Sequence, residues 1–266
     1  MKKRILQAVL IAGIVIALAI SNGYIQNRLL FNAIKRGDYE SSQRAIQHGA
    51  FINMPRYLVH MPNTLHVNPT PLITACKGGN QDIIELLINN GADINKADSF
   101  CYETPLLAAL HGKKENRFAL GLYMIEHGAD IYATQSVDSV LYRSLLVLES
   151  DSEQTITEGF QVFQYLASNN VEMTLPYGKN ALTFAAQYHN YNAVRYLIEN
   201  SYYDVNECDN NGDTALISAA KYSEKDIVEL LLCLGADKKV TDVNGKTAFD
   251  YAIENNDEAL IDLLRN

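Results

Sequence analysis

The chain has 266 residues, 48% apolar and 20% charged, which excludes a disordered or fibrous protein and fits one or two globular domains. Its net charge is −9, and without Lys2, Lys3 and Arg4 the remaining 19 basic and 31 acidic residues leave −12, a balance that argues against nucleic acid as a partner. An acidic body meets a basic surface faster than a neutral one would, which concerns encounter rate alone.

Lys2-Lys3-Arg4 precedes the run Ile5 to Ile20, whose one polar side chain is Gln7, and Ser21-Asn22-Gly23 follows. Charge, apolar core and small residues in that order are the pattern of an export segment. Sixteen residues at about 1.5 Å each make roughly 24 Å of helix, short of the roughly 30 Å hydrocarbon core of a bilayer. Residues 1–22 are therefore expected to be a signal peptide or an N-terminal membrane anchor. Ala19-Ile20-Ser21 is only a fair match to a processing site, so cleavage and retention both stay open. Basic residues ahead of the segment favour leaving the remainder outside the inner membrane, in the periplasm.

From residue 28 onward the sequence repeats itself. A first unit near Arg28 keeps Ala33, Gly37 and Gly49-Ala50. Thr70-Pro71-Leu72 opens the second unit and Thr104-Pro105-Leu106 the third, 34 residues later. Ser139 and Asn180 start the fourth and fifth; Thr214-Ala215-Leu216 and Thr247-Ala248-Phe249 start the sixth and seventh, 33 residues apart. The units fall near 28–60, 70–103, 104–138, 139–179, 180–213, 214–246 and 247–266. Each landmark has a physical reading. Threonine supplies an N-cap oxygen to exposed helix amides, and proline fits the first helical position because no intrahelical bond is lost there. Gly91 and Gly235, each 21 residues after a unit's threonine, stand where a second helix must stop. Asn170 takes that place in the fourth unit. Between these signals, Ile83, Ile84, Leu86, Leu87 and Ile88, and again Ile227, Val228, Leu230, Leu231 and Leu232, form inward stripes.

Period, Thr-Pro-Leu and Gly-Ala-Asp together make the sequence resemble the ankyrin-repeat family over almost everything after residue 27. The resemblance implies an all-α solenoid of about seven helix pairs joined by β-hairpin-like turns, with capping units at both ends. Polar outer faces come from Arg28, Asn32, Lys35 and Arg36 at one end and from Asn255, Asp257, Glu258, Asp262 and Arg265 at the other. It also implies protein binding through turns and first-helix surfaces, while fold alone does not fix the partner.

Two departures from the period mark candidate binding elements, since insertions on one face of a repeat array often bind. The connection from Asn53 to Thr70 is longer than its counterpart from Asn206 to Thr214 and holds Tyr57, His60 and His66; Asp151-Ser152-Glu153-Gln154 lengthens the link inside the fourth unit. Sixteen tyrosines and no tryptophan make Tyr the aromatic available for contact. Phe100, Tyr102, Tyr132 and Tyr177 lie in inter-repeat turns, and Tyr188 and Tyr222 sit eight residues after Asn180 and Thr214. With Tyr57, His60 and His66 these form the expected protein-binding set, each weighed against simple packing between neighbours.

No enzyme motif is present: Gly-x-Ser-x-Gly and His-Glu-x-x-His are absent, and Gly245-Lys246-Thr247 lacks the first glycine of a phosphate loop. Cys76, Cys101, Cys208 and Cys233 form no Cys-x-x-Cys pair; they are free thiols or, in an oxidising compartment, Cys76–Cys101 and Cys208–Cys233 bridges. His60 and His66 make a poor metal site without nearby Cys or carboxylate. His48 and His127 each precede a helix-ending glycine, where a cation suits the helix C-terminus. The expectation is a non-enzyme with no cofactor and no metal, monomeric until it binds another protein. Some exported bacterial ankyrin proteins of this size are immunity proteins that occlude a secreted toxin, phospholipase effectors among them; a periplasmic scaffold for a resident enzyme is the competing role, and an unrecognised enzyme the third.

Overall fold

The computed structural model describes residues 2–55, 69–98, 102–111, 115–132, 139–146, 152–169, 171, 173, 175 and 178–265, with side chains from Leu10 onward. Among these residues there are helices and no strand. The chain forms two compact units, Met1–Asp130 and Ile131–Asn266.

In the first unit, α1 (Lys2–Arg36) pairs with α2 (Tyr39–Gln47), α3 (Pro71–Gly78) with α4 (Gln81–Asn89), and α5 (Pro105–Leu110) with α6 (Arg117–Glu126). The Thr-Pro starts act as their chemistry requires: Thr70 accepts from the Ile73 N–H at 3.2 Å and Thr104 from the Leu107 N–H at 3.3 Å, with Pro71 and Pro105 opening their helices. Each such cap stabilises its helix by about 1 kcal/mol. First helices line up beside one another and second helices do the same, α1 against α3, α3 against α5, α2 against α4. Leu30, Phe31, Leu72, Ile83, Ile84 and Leu87 close the core between them. Truncating any one of these fully buried side chains to alanine should cost about 2–5 kcal/mol.

Ser21-Asn22-Gly23 does not end a helix: α1 runs unbroken through it. Gly23 is buried under Phe51, so closely that a Cβ there would stand 2.3 Å from the ring. Tyr24 meets the same ring edge-on at 5.5 Å, and the Asn22 amide donates to the His48 carbonyl at 2.9 Å. The residues that close the export pattern therefore let the first repeat's own turn pack onto the helix.

In the second unit, α7 (Val140–Leu145) pairs with α8 (Glu153–Ser168), α9 (Ala181–Gln187) with α10 (Tyr191–Glu199), α11 (Ala215–Lys221) with α12 (Lys225–Cys233), and α13 (Ala248–Glu254) with α14 (Glu258–Leu264). Ser139, Asn180, Thr214 and Thr247 cap the first helices, and Thr247 and Asp250 cap each other reciprocally. Of the additional residues of the fourth unit, Ser152 caps α8 through the Thr155 N–H and Glu153 and Gln154 open that helix; residues 147–151 lie outside the described set. Turns from successive repeats are joined main chain to main chain, Asn210 N–H to Gly178 carbonyl at 3.0 Å and Val243 N–H to Asn211 carbonyl at 3.1 Å.

Candidate protein-binding face

Asn53, Asn95 and Asn206 form a ladder, each tying a repeat to the one that follows it within its unit. Asn53 donates to the Gly91 carbonyl and accepts from the Asp93 N–H; Asn95 does the same with Gly128 and Asp130, and Asn206 accepts from the Asp237 N–H. The reason is geometric: a side-chain amide carries a donor and an acceptor on separate atoms of one planar group, matching the free carbonyl and N–H left where a second helix stops. Tyr132 stands in this register, four residues after Gly128 as Asn95 follows Gly91, and its hydroxyl donates to the Asn169 carbonyl at 3.0 Å. One end of Tyr132 therefore does the ladder's work while the ring stays exposed.

The turn tips are held by buried carboxylates. Asp242 accepts from the Tyr251 hydroxyl at 2.6 Å and from the Asn244 and Lys246 N–H groups at 2.9 and 3.0 Å, and Lys221 bridges it to Asp213. Burial opposes ionisation of Asp242, but the bonds from Tyr251, the Lys246 and Asn244 backbone and the Asn244 side chain outweigh it and hold the carboxyl below the usual carboxylate range. Burial likewise works against the Lys221 charge, and the hydrogen bond to Asp213 overcomes it, so the ammonium is favoured. In the first unit Lys77 pairs with Glu103 at 2.5 Å.

Tyr102 is the departure at this tip. In three turns the residue before the closing position is Gly178, Gly212 or Gly245, each at φ +73°, and the residue before Glu103 is Tyr102 at φ +55°. A left-handed backbone costs an aromatic residue roughly 1–2 kcal/mol, and its ring gains little in return, being 70% exposed. Strain of this kind at an exposed tip marks a candidate contact residue.

The remaining expected residues fall variously. Tyr188 caps the end of α9 and is half-buried against Phe184 at 4.5 Å, whereas Tyr222, at the matching end of α11, is exposed. Tyr57, His60, His66, Phe100 and Tyr177 lie outside the described residues. Two exposed apolar groups were missed in sequence: Val243, 73% exposed in a turn, and Ile253 on α13. Val243 was findable, because Asn210 holds the same place one repeat earlier.

Among the described residues no group of three His, Cys, Asp or Glu could hold a metal ion. Cys76, Cys208 and Cys233 are free thiols, and Cys101 lies outside the described set. Burial pushes the Cys76 thiol up; burial, then Asp209, Asp213 and Glu207, do the same to Cys208, so neither is an activated nucleophile. His48 and His127 place Nδ1 on the carbonyl four residues back, at 2.6 and 2.7 Å, tying off the ends of α2 and α6.

Stacked helix pairs, capped at each start, laddered by asparagine and edged with exposed tyrosine, define a helical-repeat interaction scaffold. A family model for ankyrin repeats (3 copies) matches residues 7–135 and 154–242, more than half the chain, and the chain belongs to the ankyrin-repeat family. An ankyrin repeat protein of fowlpox virus (strain NVSL) is 26% identical over 248 residues, covering 89% of this chain and 68% of its own. The human ASB11 ankyrin repeat domain has the same fold, with a TM-score of 0.66 and 24% identity over 89% of this chain and 97% of that one. Ankyrin repeats form a protein–protein interaction module, so the chain's partner is another protein.

Proposed function

We propose that the chain is a non-enzymatic inhibitor in the bacterial envelope, which holds a secreted toxin such as a phospholipase effector and blocks its activity. The observation that carries the binding role is Tyr102, an exposed aromatic kept in a backbone conformation that glycine would adopt without strain. The acidic charge supports a basic partner, and the apolar N-terminal segment supports export to the periplasm. Burial pushes the Cys76 and Cys208 thiols up, away from the range of an activated nucleophile. A scaffold that stabilises a resident enzyme is the second reading, favoured by the same exposed tyrosines with no requirement for a basic partner. Capture from envelope extract, followed by assay of what is bound, tests both. A bound secreted hydrolase without activity supports inhibition; a resident enzyme that keeps its activity overturns inhibition in favour of the scaffold.

A further inference from the structure

The described part of α1 ahead of the first repeat is exposed on every face. Leu10, Ile11, Ile14, Val15, Ile16, Leu18 and Ile20 are each between 47% and 66% exposed; at 100° per residue five of them share an arc of about 140°, and Ile16 and Ile20, with Ala12 and Ala19, occupy the opposite side. A protein groove or a second copy of the helix would bury one stripe and require polar residues opposite; none is there. A surface apolar all round suits only hydrocarbon, and the stretch Leu10–Arg36 is long and apolar enough to cross a membrane.

The junction with the repeat decides between a removable leader and a lasting anchor. Two residues after Ile20 the helix is already part of the fold: Asn22 donates to His48, Gly23 lies under Phe51, and Asn27 is buried. No linker separates apolar surface from repeat, so the segment where processing would fall, Ala19-Ile20-Ser21, is helical backbone running directly into packed residues. Nicking concentrates in exposed loops whose backbone is free. The apolar run from Ile5 to Ile20 makes about 24 Å of helix, a little short of a roughly 30 Å hydrocarbon core, and a span of that size is accommodated by local thinning of the bilayer and by flanking side chains that reach the interface. After that run Tyr24, Ile25, Arg28 and Leu29 are exposed on the same helix, an aromatic, a long basic side chain and two aliphatics where headgroups would begin.

We propose that α1 is retained as a membrane anchor and that, with no linker, it seats the first repeat directly on the bilayer surface, with Tyr24, Ile25, Arg28 and Leu29 in the headgroup layer. This does not depend on which protein the repeats bind, and it is tested without that partner. The full chain, expressed with its N-terminus, should stay with membranes through an alkaline carbonate wash and show the intact mass of the whole sequence. A soluble chain beginning near residues 20–22, or a full-length chain released by the wash, overturns the proposal. The second measurement uses purified full-length protein and vesicles of phosphatidylethanolamine and phosphatidylglycerol. Wild type should float with the vesicles, and Ile14→Arg with Leu18→Arg should reduce flotation at least tenfold with helicity unchanged, because those side chains touch nothing in the repeats. Equal flotation of the two proteins overturns it. The chain has no tryptophan, so Ile25→Trp supplies a single fluorophore. Lipids brominated at the shallow end of the acyl chain should quench it at least twofold while leaving Tyr39→Trp on α2 unquenched; an unquenched Trp at position 25 refutes the seating.

Discussion

Replacing Tyr102 by glycine should stabilise the fold and weaken binding, a pairing that separates a contact residue from a packed one. The left-handed backbone costs the tyrosine roughly 1–2 kcal/mol, and glycine removes that cost while surrendering about 0.5–1 kcal/mol of chain entropy. With the ring 70% exposed, little burial is lost, so the net expectation is a gain of about 0.5–1 kcal/mol. In urea the midpoint of the full chain should rise with an unchanged slope. Tyr102→Ala keeps the strained backbone and loses the ring, so its midpoint should stay near that of wild type. Both variants should bind the captured partner about tenfold more weakly or worse, since truncating an interface tyrosine at a hot spot costs about 2 kcal/mol or more. A drop of more than about 1 kcal/mol in the glycine variant would mean that the ring is packed after all. A gain in stability with unchanged affinity would move the binding face elsewhere.

Asp242→Ala strips the acceptor from Tyr251 and from two turn N–H groups and should cost about 3 kcal/mol, read as a lower urea midpoint. The folded carboxyl is held below its usual range, so its stabilisation is complete above the unfolded carboxylate pKa of about 3.9 and is lost as pH falls through the folded value. Wild type should therefore lose stability below about pH 4 more steeply than Asp242→Asn; parallel acid slopes would contradict the assigned network. Asn95→Ala breaks the bridge to Gly128 and Asp130 and should cost about 1–2 kcal/mol, with faster amide exchange at Asp130; unaltered exchange there would show that the ladder is dispensable. Replacing Tyr222, Val243 and Ile253 together by alanine should change stability by no more than about 0.5 kcal/mol per site. The same triple variant should reduce capture of the partner at least tenfold, and full capture would exclude these positions from the interface.

What could be read in the sequence was whatever local chemistry decides. Thr70 and Thr104 cap helices because a hydroxyl three residues before a free amide has little choice, and Pro71 and Pro105 follow by the same rule. The α1 junction was not legible, because its outcome rests on Phe51, 28 residues away: a ring lying over Gly23 makes a packing site of the small residues that follow the apolar run. Tyr132 was readable only in part. Its turn position was evident, but its ladder role appears only when Gly128-Ala-Asp-Ile-Tyr132 is laid over Gly91-Ala-Asp-Ile-Asn95. The strain at Tyr102 was hidden for a different reason, since the turn preceding Glu103 differs in length from those preceding Asp213 and Lys246. Counted back from Thr104, Thr214 and Thr247, Tyr102 does fall on Gly212 and Gly245, but nothing in the residue itself says that the longer turn keeps the left-handed backbone.

Scaffold and contact duties occupy different positions in each repeat, which is why a rigid array can carry a changeable surface. Caps, ladder asparagines and the Asp242–Tyr251–Lys221 network meet backbone groups that every repeat presents, so a residue there is constrained by hydrogen bonding whatever the protein binds. Exposed side chains at the turn tips, those of Tyr102 and Val243 among them, take no part in that network. Gly212 and Tyr102 close equivalent turns, and Asn210 and Val243 occupy equivalent tips, with the main-chain bonds between turns intact in the second unit. Where free positions carry exposed apolar groups, water must be displaced from them for any stabilisation to result, and only a partner surface does so. On the proposed reading of the face, the cost of Tyr102's backbone and of Val243's exposure is borne by the isolated chain and recovered on binding. Affinity should therefore be more sensitive than stability to changes at the tips, and stability more sensitive than affinity to changes in the ladder.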